Sequence, residues 1–212
     1  MPFIREIHLS DGIRAGIWHI TEGSGELRSL VHLNESEQHL YDSFSHDLRK
    51  RHWLAYRALL QLLLAPHSSE VYYDDFGKPC LNSGSHYISV SHAGEYAAAV
   101  CSDKFPVGID IEQLKDRIER VKERFMLPGE LASISAQNRL EHLYIYWCGK
   151  EALYKLIGKP ELDFRRDIHI HPFEYLCTTN RSCKATLTYN GIHQSYELFY
   201  EKTGNYMLVV AY

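Results

Sequence analysis

Leu48, Leu54, Leu59, Leu62 and Leu63 stand among strong helix formers and are stopped by Pro66, a pattern that predicts a buried helix over residues 47–65. Downstream the period shortens to that of strands. Residues 87–91 and 96–102 flank His92-Ala93-Gly94-Glu95, a short glycine-containing connection of the kind that closes a hairpin. After a loop at 103–106, residues 107–112 alternate in the same way and are expected to add a third strand. Leu114, Ile118, Val121 and Phe125 then recur on one helical face, with Pro128-Gly129 expected to end that helix. A longer helix is predicted over 141–157, stopped by Gly158 and Pro160. The tail returns to strands at 182–189, 193–201 and 206–212, with Asn190-Gly191 as a hairpin turn.

The two long helices echo each other. Trp53, Ala58, Leu59 and Leu62 match Trp147, Ala152, Leu153 and Leu156 at identical offsets, and a terminal hairpin follows each helix. The simplest architecture is an α/β fold of the α+β type with two similar subdomains, residues 1–105 and 106–212, each a long helix laid on a small antiparallel sheet. The active site is then expected in the cleft between them.

Composition narrows the function classes. The chain has 212 residues, 45% of them hydrophobic, enough for a sizeable core. A net charge of -4 argues against nucleic acid as the main partner, while leaving room for a local basic patch. Cys80, Cys101, Cys148, Cys177 and Cys183 are odd in number and form no CxxC pair, which fits a reducing cytoplasm. The first eleven residues lack an apolar signal core, and the most apolar stretch, 59–66, is broken by Gln61. The expectation is a protein neither secreted nor membrane-spanning.

Candidate chemistry concentrates in a few short runs. In Gly108-Ile109-Asp110-Ile111-Glu112, strand geometry points Asp110 and Glu112 to one face while Ile109 and Ile111 take the other. Two carboxylates this close repel by about 1 to 4 kcal/mol, so a divalent cation or basic neighbour is needed to keep both ionised. A plain strand with a solvated acidic face has the same spacing. In Trp147-Cys148-Gly149-Lys150-Glu151-Ala152-Leu153-Tyr154-Lys155, helical spacing puts Trp147, Glu151 and Lys155 on one face. Glu151 and Lys155 also read as an ordinary surface pair. Joined to the strand acids, Glu151 completes a set of hard oxygen ligands suited to Mg²⁺, with Lys150 and Lys155 offering positive charge to a phosphate ester. Lys78, fixed between Gly77 and Pro79, and the pair Ser91-His92 at a strand end are further phosphate candidates, although tight turns carry the same residues. Arg49, Lys50, Arg51 and His52, with Arg57 beyond, form the densest positive cluster, either a solvated helix face or a site for an additional phosphate. His169 and His171 lack a third ligand at zinc spacing and read as a strand-edge pair.

In this order the runs FGKPCL (76–81), SVSHA (89–93), VGIDIE (107–112) and WCGKEALYK (147–155), with Arg124-Phe125-Met126 and Glu130 between the last two, resemble the Sfp-type 4′-phosphopantetheinyl transferases. The resemblance covers about residues 48–157. It implies a fold of two halves with pseudo-twofold symmetry in one chain, and a Mg²⁺-dependent transferase of the holo-[acyl-carrier-protein] synthase type. Such an enzyme moves phosphopantetheine from coenzyme A to a serine of an acyl, peptidyl or polyketide carrier protein in lipid or secondary-metabolite biosynthesis, releasing 3′,5′-ADP. The resemblance makes Asp110, Glu112 and Glu151 the metal ligands, Glu151 and Lys155 the catalytic pair, and Lys78, Ser91, His92 and Lys155 the phosphate contacts of coenzyme A, with Arg51 and Arg57 added on charge alone. It departs from the family at Cys148-Gly149, where Ser or Thr more often follows the Trp and glycine weakens a helix by roughly 1 kcal/mol. Lys115, Arg117, Arg120, Lys122 and Arg124, beside Met126 and Leu127, form the expected docking surface for an acidic carrier. A monomer is expected, with neither nucleic acid nor membrane as partner. A pyrophosphohydrolase of coenzyme A or a related nucleotide, and a non-catalytic binder of coenzyme A or carrier protein, are the alternatives.

Overall fold

Turn chemistry and capping set the first elements of the computed structural model, which describes residues 3–10, 12–176 and 181–212. Gly12, at φ +87°, turns β1 (Phe3–Ser10) back onto β2 (Ile13–His19). After α1 (Ser24–Leu30), Asn34 opens α2 (Glu35–Asp42) with a capping box. Its side chain accepts from the Glu37 amide at 2.9 Å, and Glu37 Oε2 accepts from the Asn34 amide at 3.1 Å. The predicted long helix is α3 (Asp47–Leu64), followed by the short pair β3 (Val71–Tyr73) and β4 (Pro79–Leu81) and the hairpin β5 (Tyr87–Ala93) and β6 (Tyr96–Ser102).

Two compact units divide the chain, Met1–Pro106 and Val107–Tyr212. In the first, a sheet of order β1-β2-β6-β5 carries α3 on its apolar face, where Leu54, Leu59, Leu60 and Leu63 are buried with Ala97 and Ala99 of β6. Leu48 and Leu62, expected inside, are each half exposed, because they lie on the helix face turned from the sheet.

The second unit begins with β7 (Gly108–Gln113), then a 3₁₀ turn (Asp116–Arg120), α4 (Lys122–Phe125), α5 (Pro128–Ala132), α6 (Arg139–Ile157), β8 (Ile168–Ile170), β9 (Ser182–Tyr189), β10 (Ile192–Thr203) and β11 (Tyr206–Ala211). Its sheet order is β7-β11-β10-β9-β8. The 107–112 run therefore does not add a third strand to the β5–β6 hairpin; it pairs antiparallel with β11, Asp110 opposite Val209 and Glu112 opposite Met207. Alternation encodes which face a residue takes, not which strand lies beside it. The 114–125 helix is also revised. Ile118 and Phe125 are buried as expected, but Val121, at φ -118° and ψ -3°, lies off the regular helical angles, so a 3₁₀ turn and a single α turn replace one continuous helix. Pro128 does not end a helix but begins α5 at its first turn, where a missing amide costs nothing.

Two glycines explain how α6 lies on this sheet. A Cβ at Gly108 would sit 1.9 Å from the Ala152 carbonyl oxygen, so the backbone of β7 touches the backbone of α6 directly. A Cβ at Gly149 would lie 2.9 Å from both Ile170 Cδ1 and Leu198 Cδ1, which makes the helix glycine a packing notch. The helix closes at Gly158, left-handed at φ +67°, whose amide donates to Tyr154 O at 2.9 Å. Among the described residues no helix is long and apolar enough to cross a membrane. Cys177 lies outside the described residues.

Candidate active site

Close contact between β7 and α6 brings three carboxylates and one ammonium of the second unit together. Asp110 is nearly buried, and Lys155 Nζ donates to its Oδ1 at 2.7 Å and to Ile109 O at 3.1 Å. Glu151, one helical turn before Lys155, has its pKa pushed up to about 7, first by burial and then by the charge of Asp110, with Lys155 opposing and Glu112 adding to the rise. Burial and Asp110 also raise Glu112, while a side-chain hydrogen bond from Trp147, together with Arg117 and Lys155, holds it back. The two strand acids thus act on the helix glutamate as like charges. Trp147 in turn packs edge-on against Phe125, ring centres 5.1 Å apart, and against Phe164 at 5.8 Å.

The chemistry of this donor set, three carboxylates and no sulfur or imidazole ligand, fits a hard divalent cation. Among the described residues, no group of three or more His, Cys, Asp and Glu side chains is gathered at metal-holding geometry. Lys155 instead neutralises Asp110 directly. Cys148 is fully buried behind the site, donating to Met207 O at 3.8 Å, and burial followed by the charges of Asp110 and Glu112 pushes its thiol well above the usual range. It is closed to solvent.

Lys150, expected to offer charge to a phosphate, does something else. Its Nζ has no exposure and shares its three hydrogens among four acceptors, Glu130 Oε2 at 2.8 Å, Phe125 O at 2.7 Å, Phe164 O at 2.9 Å and Ile168 O at 2.9 Å. Glu130 completes the knot by accepting from the Leu127 amide at 2.8 Å and the Ile170 amide at 2.9 Å. One buried ion pair therefore ties the 125–130 segment and the 164–170 segment to α6, one residue before Glu151. Sequence reasoning missed this role, although Lys150 lies about 100° round the helix from Glu151, to one side of the Trp147, Glu151 and Lys155 stripe.

Beside Glu112, a cavity of about 400 Å³ is lined by Arg117, Ile118, Arg120, Val121, Tyr144 and Trp147. Of the expected docking residues, Lys115, Arg117, Arg120 and Arg124 are exposed, and Lys122 is paired with Glu119 at 2.8 Å. Met126 is fully buried and is removed from that surface.

The first unit holds the remaining candidates. Lys78 is half-buried on the turn between β3 and β4, its amide donating to Asp74 Oδ1 at 2.8 Å, and burial lowers its pKa. Ser91 is buried at the end of β5, and His92 is exposed and stacked on His52 with ring centres 4.3 Å apart. His52 Nε2 donates to Gly94 O at 2.7 Å, which fixes the proton on that nitrogen. A cavity of about 400 Å³ runs from His92 past Gly77, Tyr73, Trp53 and Arg49. Arg51 and Arg57 are not among its walls. Arg51 bridges to Asp47 at 3.0 Å along the helix, and Arg57 points inward, buried against Glu37 and the face of Trp53. Charge density alone did not say which arginine of the cluster turned toward a cavity.

The family model for the 4′-phosphopantetheinyl transferase superfamily matches residues 106–211, which contain Asp110, Glu112, Glu151 and Lys155. The chain belongs to the 4′-phosphopantetheinyl transferase superfamily. Among curated members, the 4′-phosphopantetheinyl transferase AcpT of Salmonella typhimurium is 32% identical over 117 residues, 52% of this chain and 60% of that protein. AcpT of Escherichia coli K12 is 33% identical over 116 residues, 52% and 59% of the two chains. The 4′-phosphopantetheinyl transferase gsp of Aneurinibacillus migulanus is 27% identical over 150 residues, 59% and 62%. The chain spans about 60% of the length of the curated transferases it matches. Within this superfamily its mixed fold of helices on antiparallel sheets is as expected. Cys148-Gly149, the point of departure from the family's usual run, is accommodated by a closed core on both sides.

Proposed function

We propose that the chain moves the 4′-phosphopantetheine arm of coenzyme A onto a serine hydroxyl of a carrier protein, releasing 3′,5′-ADP. The observation that carries the reading is the meeting of Asp110 and Lys155, with the charges of Asp110 and Glu112 both raising the pKa of Glu151. Membership of the superfamily supports the same reaction.

In the reaction the serine oxygen attacks the β-phosphorus, the bond from that phosphorus to the bridging oxygen breaks, and the bridging oxygen leaves with the adenosine side. Glu151 is assigned the serine proton. Burial and the charge of Asp110 by themselves push the pKa of Glu151 up to about 7, near the range a general base requires, and a bound divalent cation would lower it. Lys155, already anchored on Asp110, presents its charge where the transferring phosphoryl oxygens gain density. Asp110, Glu112 and Glu151 are the residues that would hold magnesium, which when bound neutralises pyrophosphate charge. Lys78, Ser91 and His92 are assigned to the phosphates of coenzyme A. Arg49, which lines the cavity of His92, replaces Arg51 and Arg57 in that role.

The carrier is read as an acidic acyl, peptidyl or polyketide carrier protein that meets Lys115, Arg117, Arg120 and Arg124, with the apolar walls Ile118, Val121 and Trp147 beneath them. The enzyme is taken to work as a cytoplasmic monomer. Intact-mass measurement of an apo carrier incubated with chain, coenzyme A and Mg²⁺ tests the reaction. Covalent addition of the phosphopantetheine mass supports transfer, whereas an unchanged carrier with cleaved coenzyme A would mean hydrolysis.

A further inference from the structure

A polar cavity of about 490 Å³ opens in the second unit at the start of α6, where Ser133, Ser135, Gln137, Asn138 and His142 face the 172–175 segment. No residue assigned to transfer lines it. His142 is 2% exposed, and its Nδ1 accepts the Ser135 amide proton at 2.9 Å, so the ring proton resides on Nε2. That Nε2 is buried and makes no hydrogen bond among the described residues. Native structures seldom leave such a donor without an acceptor.

The surroundings favour negative charge. The cavity sits at the N-terminal end of a 19-residue helix, whose N-cap, Asn138, makes no side-chain capping bond to the first turn. Glu141 is drawn off to Lys202 at 2.7 Å. Ser135 Oγ accepts from the Gln137 amide at 3.2 Å, which leaves its own hydrogen to donate, whereas the Ser133 hydroxyl is engaged with Glu130 O and Tyr146. Phe173, ring centre 4.8 Å from that of His142, and Tyr175 at 6.2 Å hold the imidazole in place. Glu174 is the one carboxylate in the lining, and it is exposed at the rim. Burial lowers the pKa of His142, consistent with a neutral ring that donates through Nε2.

We propose that this cavity binds an oxyanion, a phosphate or carboxylate group of a small metabolite, through His142 Nε2–H, the Ser135 hydroxyl and the first-turn amides of α6. Anions at helix N-termini are held by such a combination of amides and dipole, and a cavity of this volume takes a small molecule that carries the group. The site lies apart from the transfer carboxylates, so occupancy is readable without any assay of transfer.

The experiment uses the full chain with ¹⁵N-labelled histidine and backbone, titrated at constant ionic strength with inorganic phosphate in one arm and acetate in the other. The expected result is a saturable shift of the His142 ring nitrogens together with the Leu140 and Glu141 amides in at least one arm, which also identifies the group preferred. His142→Asn keeps an acceptor for the Ser135 amide but loses the Nε2 donor, and is expected to weaken binding about tenfold. His142→Gln, which retains a donor near Nε2, is expected to weaken it less. A parallel titration of Lys155→Ala separates this site from phosphate held by the transfer residues, because shifts at His142 persist there. The absence of saturable shifts at His142 in both arms overturns the proposal, as does unchanged affinity in a folded His142→Asn. Should His142→Asn not fold, the location of the shifts in the unsubstituted chain decides.

Discussion

Lys155 Nζ stands 2.7 Å from Asp110 Oδ1, a polar link between the helix that carries Glu151 and the strand that carries Glu112. The ammonium both compensates a nearly buried carboxylate and stays partly exposed. Lys155→Ala is therefore expected to lower kcat about 10²- to 10³-fold, the usual effect of removing one preorganised charge donor. Lys155→Arg should recover only part of that loss, because the guanidinium is broader than the ammonium that fits between Asp110 and Ile109 O. Steady-state kinetics of carrier modification give the answer, and equal rates for Lys155→Ala and wild type would remove this role.

The buried pair Lys150 and Glu130 is structural, and its disruption should appear in stability first. Lys150→Met leaves Glu130 charged and enclosed, and breaking one side of such a pair typically costs about 3 to 5 kcal/mol. Urea denaturation followed by circular dichroism measures it. A loss below 1 kcal/mol, roughly the worth of an exposed pair, would show that the pair is not enclosed.

The two glycines of the β7 and α6 contact should respond differently. Gly108→Ala forces a Cβ against the Ala152 carbonyl, which is backbone and has little freedom to yield, and a cost of roughly 1 to 3 kcal/mol is expected. Gly149→Ala meets only the ends of Ile170 and Leu198, while alanine recovers about 1 kcal/mol of helix propensity, so the net change should be small. Thermal unfolding of both variants compares them, and equal destabilisation would contradict the packing described.

Much of the fold and of the site was legible in residue patterns, and the parts that were not share a cause. Helix α3, the β5 and β6 hairpin, α6 and the last three strands follow from local periodicity and from turn residues such as Asn190, at φ +51°, and Gly191, at φ +77°. The partner of β7 was hidden, because β11 lies about a hundred residues away and no local signal names it. The strand and helix acids were picked by spacing, and in the fold the charges of Asp110 and Glu112 bear on Glu151. Lys150 and Arg57 were misjudged because a sequence shows charge without showing whether an acid such as Glu130 or Glu37 waits in the core.

Electrostatic steering of the carrier is tested at Arg117 and Arg120, both exposed over the cavity beside Glu112. Charge reversal at both should slow modification more at low salt than at high, since screening shortens the reach of surface charge to about 10 Å at 0.1 M. The same slowing at every salt concentration would mean that these arginines touch the carrier at short range and do not steer it.

The most direct measurement follows the carrier's mass over time with wild type and with Asp110→Ala, at a series of Mg²⁺ concentrations. The expected result is stoichiometric phosphopantetheine addition by wild type that rises with Mg²⁺, and none above background by a folded Asp110→Ala at any concentration. Undiminished addition by Asp110→Ala would contradict the assignment of β7 and α6 as the centre of transfer.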